Sequence, residues 1–189
     1  MAEEAWGSRS EECTIMRTFP KSVGIPKQIK PAQAELIYNR MVPYNEEGNV
    51  ILEIGTRLGY SASIIAQAAP LAKVITLEPL SNRVSKAREY LAPFPNITVV
   101  QAYSWDYLET YEGPELSAVF VDGDHKRAHK DVPWYYKLKP GGLILFHDYT
   151  EKGSIHVVRA VDLLAGFQGR KLDIRVIDEE GAGMAGMYR

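Results

Sequence analysis

From residue 31 onward the chain alternates between two hydrophobic patterns. Short, continuous apolar runs read as strands: "NVILEIG" (49–55), "AKVITLEP" (72–79), "NITVVQA" (96–102), "LSAVFVD" (116–122) and "GGLILFHD" (141–148). Runs of this length without an internal polar phase fit strands covered on both faces. Between them lie segments with the longer spacing of a helix: "AQAELIYNRMV", "YSASIIAQAA", "SNRVSKAREYLA", a short one around "SWDYLETY", "HKDVPWYYKLK" and "SIHVVRAVDLLAGF". Punctuation agrees with this division. Pro31 suits a first helical position, Gly55 ends the first strand, and Pro70 stops the second helix. Ser81 is placed to cap the third helix, and Pro133 kinks or restarts the one that contains it.

Strands separated by helices imply a parallel sheet with helices on both faces. Two late runs, "LDIRVID" and "GMAGMYR", joined by "EEGAG", read as an antiparallel hairpin at one edge. The expected fold is therefore a Rossmann-like, doubly wound α/β domain. Its mostly parallel seven-stranded sheet carries an antiparallel C-terminal strand. Residues 1–25 lack sustained periodicity and read as a flexible tail, with 26–189 forming one domain. The segment from Val23 to Lys30 is expected to lie as a loop over a ligand.

Composition narrows the function. The 189 residues carry a formal net charge of −2, so no dominant sign points to nucleic acid or an anionic membrane surface. The single cysteine, Cys13, excludes an internal disulfide and a cysteine-rich zinc site. The acidic, polar start has neither the basic nor the apolar part of a secretory signal, and no run has the length of a membrane span. A cytoplasmic protein is expected, acting on a small molecule, with a homodimer through the C-terminal hairpin as one arrangement.

In open α/β sheets ligands bind beyond the carboxyl ends of the strands, where strand order reverses. Those ends carry Glu53 and Gly55, Glu78, Ser104, Asp122 with Asp124 and His125, and His147 with Asp148. Each has an ordinary structural reading as well: an acid can cap the next helix, and a strand-end histidine is commonly satisfied locally. His129 and His156 read as helix-surface residues. Five consecutive strands delivering polar, mostly acidic groups to one rim favour a site. Gly55 and Gly59 are four apart, so the G-x-G-x-x-G spacing for a dinucleotide pyrophosphate is absent. Gly55 allows close approach of a ligand, and Gly59 can start a helix. Glu53 would repel phosphate but attract a cation, and Glu78 is placed to accept hydrogen bonds from a ribose diol. A cofactor with an amine, a ribose and a positive centre fits this rim better than one with phosphates.

"ILEIGTRLGYSA", "VITLEP", "AYSWD", "VDGDH" and "KPGGLILFHDY" resemble, in order, the motifs of class I S-adenosylmethionine-dependent methyltransferases. The closer resemblance is to small O-methyltransferases of the catechol, caffeoyl-CoA and macrolide-sugar types, over roughly residues 25–189. It implies S-adenosyl-L-methionine as cofactor and a small-molecule hydroxyl as acceptor. It also implies Glu53, Gly55, Gly59, Tyr60 and Ser61 around the methionine part, Glu78 at the ribose, and Ser104 and Trp105 at the adenine. Asp122 would face both cofactor and metal, with His147 and Asp148 completing a metal site. Such sites usually carry a carboxylate where His147 stands. Imidazole suits several transition metals and is poor for magnesium, so magnesium, manganese and another transition ion all stay open. His125, with Lys126 beside it, matches the position of the base, and a histidine titrating near neutrality suits that task. Tyr103, Trp105, Trp134 and Tyr135 are candidate aromatic walls. The competing readings are a metal-independent methyltransferase of the same fold, a nicotinamide-dependent oxidoreductase or nucleotide-binding module, and a non-catalytic binding protein that keeps the cofactor pocket as a scaffold.

Overall fold

The computed structural model describes residues 24–176 and 183–189. The expected tail up to residue 23 and the connection 177–182 lie outside the described residues. The elements run α1 (Pro31–Met41), β1 (Val50–Ile54), α2 (Tyr60–Ala68), β2 (Lys73–Leu77), α3 (Ser81–Leu91), β3 (Ile97–Val100), α4 (Ser104–Glu109), β4 (Leu116–Val121), β5 (Leu138–His147), α5 (Glu151–Gln168), β6 (Asp173–Val176) and β7 (Gly183–Tyr188). One seven-stranded sheet has the order β3-β2-β1-β4-β5-β7-β6. Pairing is parallel from β3 to β5, while β7 runs antiparallel to both β5 and β6. The expected sheet and its reversed strand are borne out.

Alternation along each strand divides the core. Ile51, Val74, Ala118, Phe120 and Leu145 pack toward α1, α2 and α3. Leu52, Ile54, Leu77, Val119, Val121 and Phe146 pack toward α4, the 3-10 turns after β4, and α5. Both faces of β1 and β4 are buried throughout, which is why these strands show no polar phase. The third apolar run is different: β3 is the outermost strand and only partly buried.

Two helix expectations change. "HKDVPWYYKLK" is two 3-10 turns, His125–Lys130 and Val132–Lys137, not a helix. Pro133 cannot donate and its ring would strike the carbonyl four residues back, so the chain turns and restarts after Asp131. Ser81 does not cap α3. The helix starts after Leu80, whose N–H is taken by the Glu78 carboxylate at 3.1 Å. Trp134 and Tyr135 are core residues, 0% and 2% exposed, so they wall no cavity. Ile25 and Ile29, in the segment expected to overlie a ligand, also pack into the core.

Candidate active site

The chain leaves β1 toward β2 on one side, while β4 leads to β5 on the other, so strand order reverses between β1 and β4. A cavity of about 490 Å³ opens there, lined among others by Gly55, Glu78, Ser104, Trp105, Asp122 and His125. Gly55 is required by the sheet itself. Its φ is 104°, and a Cβ there would lie 2.2 Å from the Asp122 carbonyl oxygen. Close packing of the β1 and β4 ends therefore accounts for this glycine, whatever ligand approaches it. Gly59 precedes α2 in the left-handed region, as expected of a helix start (φ 92°).

Glu78 is 2% exposed. Its Oε2 accepts the Arg57 N–H at 2.8 Å, its Oε1 accepts the Leu80 N–H at 3.1 Å, and Arg83 lies 3.9 Å away. A carboxylate oxygen has two lone pairs, so each can still accept from a ligand hydroxyl. The carboxylate is thus clamped in place with spare capacity facing the cavity. Trp105 stacks on Tyr103 with centroids 4.7 Å apart, and the Lys130 ammonium lies 4.4 Å from its ring centre. Ser104 is buried, and its hydroxyl donates to the Asp131 carboxylate, whose pKa burial pushes up to about 6.

At the other end of the rim Asp122, His125, His147 and Asp148 converge, each offering an atom within 4.8 Å of the others. His125 bridges the two acids, with Nε2 3.2 Å from Asp122 and Nδ1 3.5 Å from Asp148. His147 Nδ1 lies 3.4 Å from Asp122 and 3.3 Å from Asp148. Asp148 adopts φ 55°, in the sparsely populated left-handed region, which aspartate tolerates better than most residues. The hydrogen bond that His125 donates to Asp122 raises its pKa against the opposing effect of burial, with the charges of Asp122, Asp148 and Asp124 adding to it. Burial lowers that of His147, but contact with Asp148 and the charges of Asp122 and Asp148 outweigh it and the net shift is upward. Asp148 is lowered, chiefly by His147.

This donor set fits a divalent ion. His147 Nδ1 is buried without an aligned hydrogen-bond partner. Neighbouring donors stand 3.2–3.5 Å apart, compatible with a shared ion at bonds of about 2.0–2.2 Å. Two carboxylates with one or two imidazoles suit a first-row transition ion better than magnesium.

Of the sequence-expected residues, Gly55, Glu78, Tyr103, Ser104, Trp105, Asp122, Asp124 and His125 line the cavity, and His147 and Asp148 join Asp122 in the cluster. Glu53, Gly59, Tyr60 and Ser61 do not line it. Glu53 is fully buried beneath the first turn, hydrogen-bonded to Thr76 and Ser61. Lys126 is exposed and outside the cavity lining. Asp124 accepts the Lys126 N–H and caps the following turn. His129 and His156 are exposed. Sequence reasoning missed Arg57, Arg83 and Arg127 in the cavity wall and Gln33 behind His147, while Gln28, from the segment expected to overlie a ligand, does line the cavity. A glutamine in the apolar phase of α1 was the one available signal.

A reversed β7 between β5 and β6, with an acid-lined cavity at the β1/β4 crossing, defines the class I methyltransferase fold. Residues 52–149, just over half of the chain, match the family described as "Methyltransferase domain", and the chain belongs to that family. A catechol O-methyltransferase of Mycobacterium tuberculosis is 30% identical over 108 residues, covering 55% of this chain and 49% of the relative. The chain therefore aligns with about half the length of that relative. An O-methyltransferase of Bacillus cereus solved with S-adenosylhomocysteine superposes with a TM-score of 0.70 at 16% identity, covering 97% of this chain and 92% of the other. An O-methyltransferase of Streptomyces achromogenes, involved in tomaymycin synthesis and solved with S-adenosylmethionine, gives 0.71 at 19% identity, covering 95% and 89%. At these identities the likeness is one of fold. The resemblance read from the sequence motifs is borne out, and the nicotinamide alternative loses its ground. Among the described residues no helix is long and apolar enough to cross a membrane.

Proposed function

We propose that the chain transfers a methyl group from S-adenosyl-L-methionine to a hydroxyl of a small molecule, with a divalent transition ion at the Asp122 cluster. The observation that carries this reading is the placement of the Asp122–His125–His147–Asp148 cluster on the same rim as a cavity closed at its far side by clamped Glu78. Glu78 accepts from the ribose hydroxyls, and the Tyr103–Trp105 pair lies beside the adenine. Asp122 lies at the junction of cavity and cluster, where donor methyl and acceptor oxygen must be brought into line. When bound, the ion supplies positive charge that lowers the pKa of an adjacent acceptor hydroxyl. His125, in its neutral form, takes the hydroxyl proton, and Asp122 and Asp148 stabilise the imidazolium that results.

The metal-independent reading is favoured by one observation: His125 already bridges both carboxylates, so a protonated ring can balance their charge without an ion. In that case His125 acts as base by proximity alone. A chelator separates the two, since it abolishes transfer only in the first.

The test is Asp122→Asn, assayed by mass spectrometry with S-adenosylmethionine and a panel of vicinal diols and phenols. Transfer is expected to fall at least a hundredfold while affinity for S-adenosylhomocysteine stays within a few-fold. Equal loss of both would place Asp122 in cofactor binding or folding instead.

A further inference from the structure

Gln33, 3% exposed on the buried face of α1, uses both ends of its amide. Its Oε1 accepts the Lys30 N–H at 2.8 Å, closing the first turn of the helix. Its Nε2 stands 2.8 Å from Nε2 of His147. An amide nitrogen only donates. The amide cannot be turned round without setting its NH2 group against the Lys30 N–H, so His147 Nε2 must be the acceptor. The single proton of the neutral ring then sits on Nδ1, the atom that faces Asp122 and Asp148.

That tautomer cannot bind a metal through Nδ1, because the lone pair is replaced by an N–H. Ligation needs the other tautomer, whose Nε2–H requires an acceptor where Gln33 presents a donor. Histidines that bind metals ordinarily give their second N–H to a carboxylate, a carbonyl or water. Here the arrangement is inverted.

We propose that Gln33 is a positioning residue for the divalent site: it holds His147 with its proton on Nδ1, so that capping of α1 by Gln33 and metal ligation by His147 exclude one another. Loading the ion turns the amide, releases the Lys30 N–H, two residues beyond the cavity-lining Gln28, and loosens the start of α1. The metal part of this inference rests on the proposed function; the tautomer does not.

The test uses the full chain, freed of metal, at pH 8.5, with Q33E and Q33M as variants and thermal melts to verify folding. In Q33E one carboxylate oxygen keeps the Lys30 N–H and the other accepts from His147 Nε2–H; because the variant also adds a negative charge, its Co²⁺ affinity counts for the proposal only together with a change of the His147 tautomer. Q33M removes both contacts. Nitrogen NMR of the His147 ring is expected to place the proton on Nδ1 in the wild type and on Nε2 in Q33E. Calorimetry with Co²⁺ is expected to give Q33E at least tenfold tighter binding than wild type, the scale on which such outer contacts act. A wild-type ring protonated on Nε2 overturns the proposal, and that measurement needs no variant. Equal Co²⁺ affinity in wild type and Q33E also overturns it, as does Q33M tightening as much as Q33E, since loss of the cap would then be the cause. Absence of Co²⁺ binding in all three overturns the metal part. Methyl transfer is assayed separately, so its failure is distinguishable from any of these outcomes.

Discussion

His125 carries the most direct chemical consequence at the scale of single residues. Its pKa is raised, mainly by the hydrogen bond it donates to Asp122, and only the neutral ring can accept a proton. The neutral fraction grows as pH rises through that elevated value, so kcat is expected to climb with pH beyond the ordinary histidine range and then level off. A profile already flat from pH 6 upward would remove His125 as the base. Glu78 gives an independent test of the other end of the cavity. Glu78→Gln keeps one acceptor oxygen but loses the charge, and S-adenosylhomocysteine affinity is expected to drop by about 1–3 kcal/mol in calorimetry. Unchanged affinity would take Glu78 out of the site. Both residues were legible in the sequence because they end apolar strands, where a charge stands out. Gln33, Arg57 and Asp131 were not. Their roles depend on partners 114, 21 and 27 positions away, and the one local mark is the place of Gln33 in the apolar phase of α1.

The elements were legible where burial on both faces left no ambiguity of period, as in β1 and β4. They were misread where a local device replaces a regular helix. The two 3-10 turns between β4 and β5 follow from Pro133 and the Asp124 cap, and they bring His125 back over the strand ends instead of carrying it away along a helix. The sequence likewise identified Gly55 but attributed it to ligand approach. The tight crossing of β1 against the end of β4 explains it better. Gly55→Ala is expected to destabilise by about 1–2 kcal/mol from its left-handed backbone alone. The contact with the Asp122 carbonyl adds to this and displaces Asp122. Melting temperature and methyl transfer are both expected to fall, whereas a variant with unaltered melting would show that the strand ends can separate freely.

At the scale of the whole molecule, Glu53 links the buried sheet to pH. Burial is the main cause that pushes its pKa from 4.5 up to about 7, against hydrogen bonds from Ser61 and Thr76. Between those two values the folded chain holds a proton that the unfolded chain has released. Glu53's contribution to stability is therefore largest at low pH and is lost as pH rises through about 7. Glu53→Gln removes that dependence. The melting temperature of the variant relative to wild type is expected to increase from about pH 5 to pH 7.5 and stay level above. A constant difference across this range would mean that the carboxyl is already ionised in the fold.

The reversed strand carries a consequence for how the molecule comes apart. Among the described residues β6 is joined to the sheet only through β7, and His147 lies opposite Met184 while the Tyr149 N–H bonds the Gly183 carbonyl. Fraying of this edge would therefore release the two residues at the end of β5 while β1 to β4 stay paired. Amide exchange at 147–149 should then follow that of β7 rather than that of β4, so the cluster could be lost by partial opening well short of global unfolding.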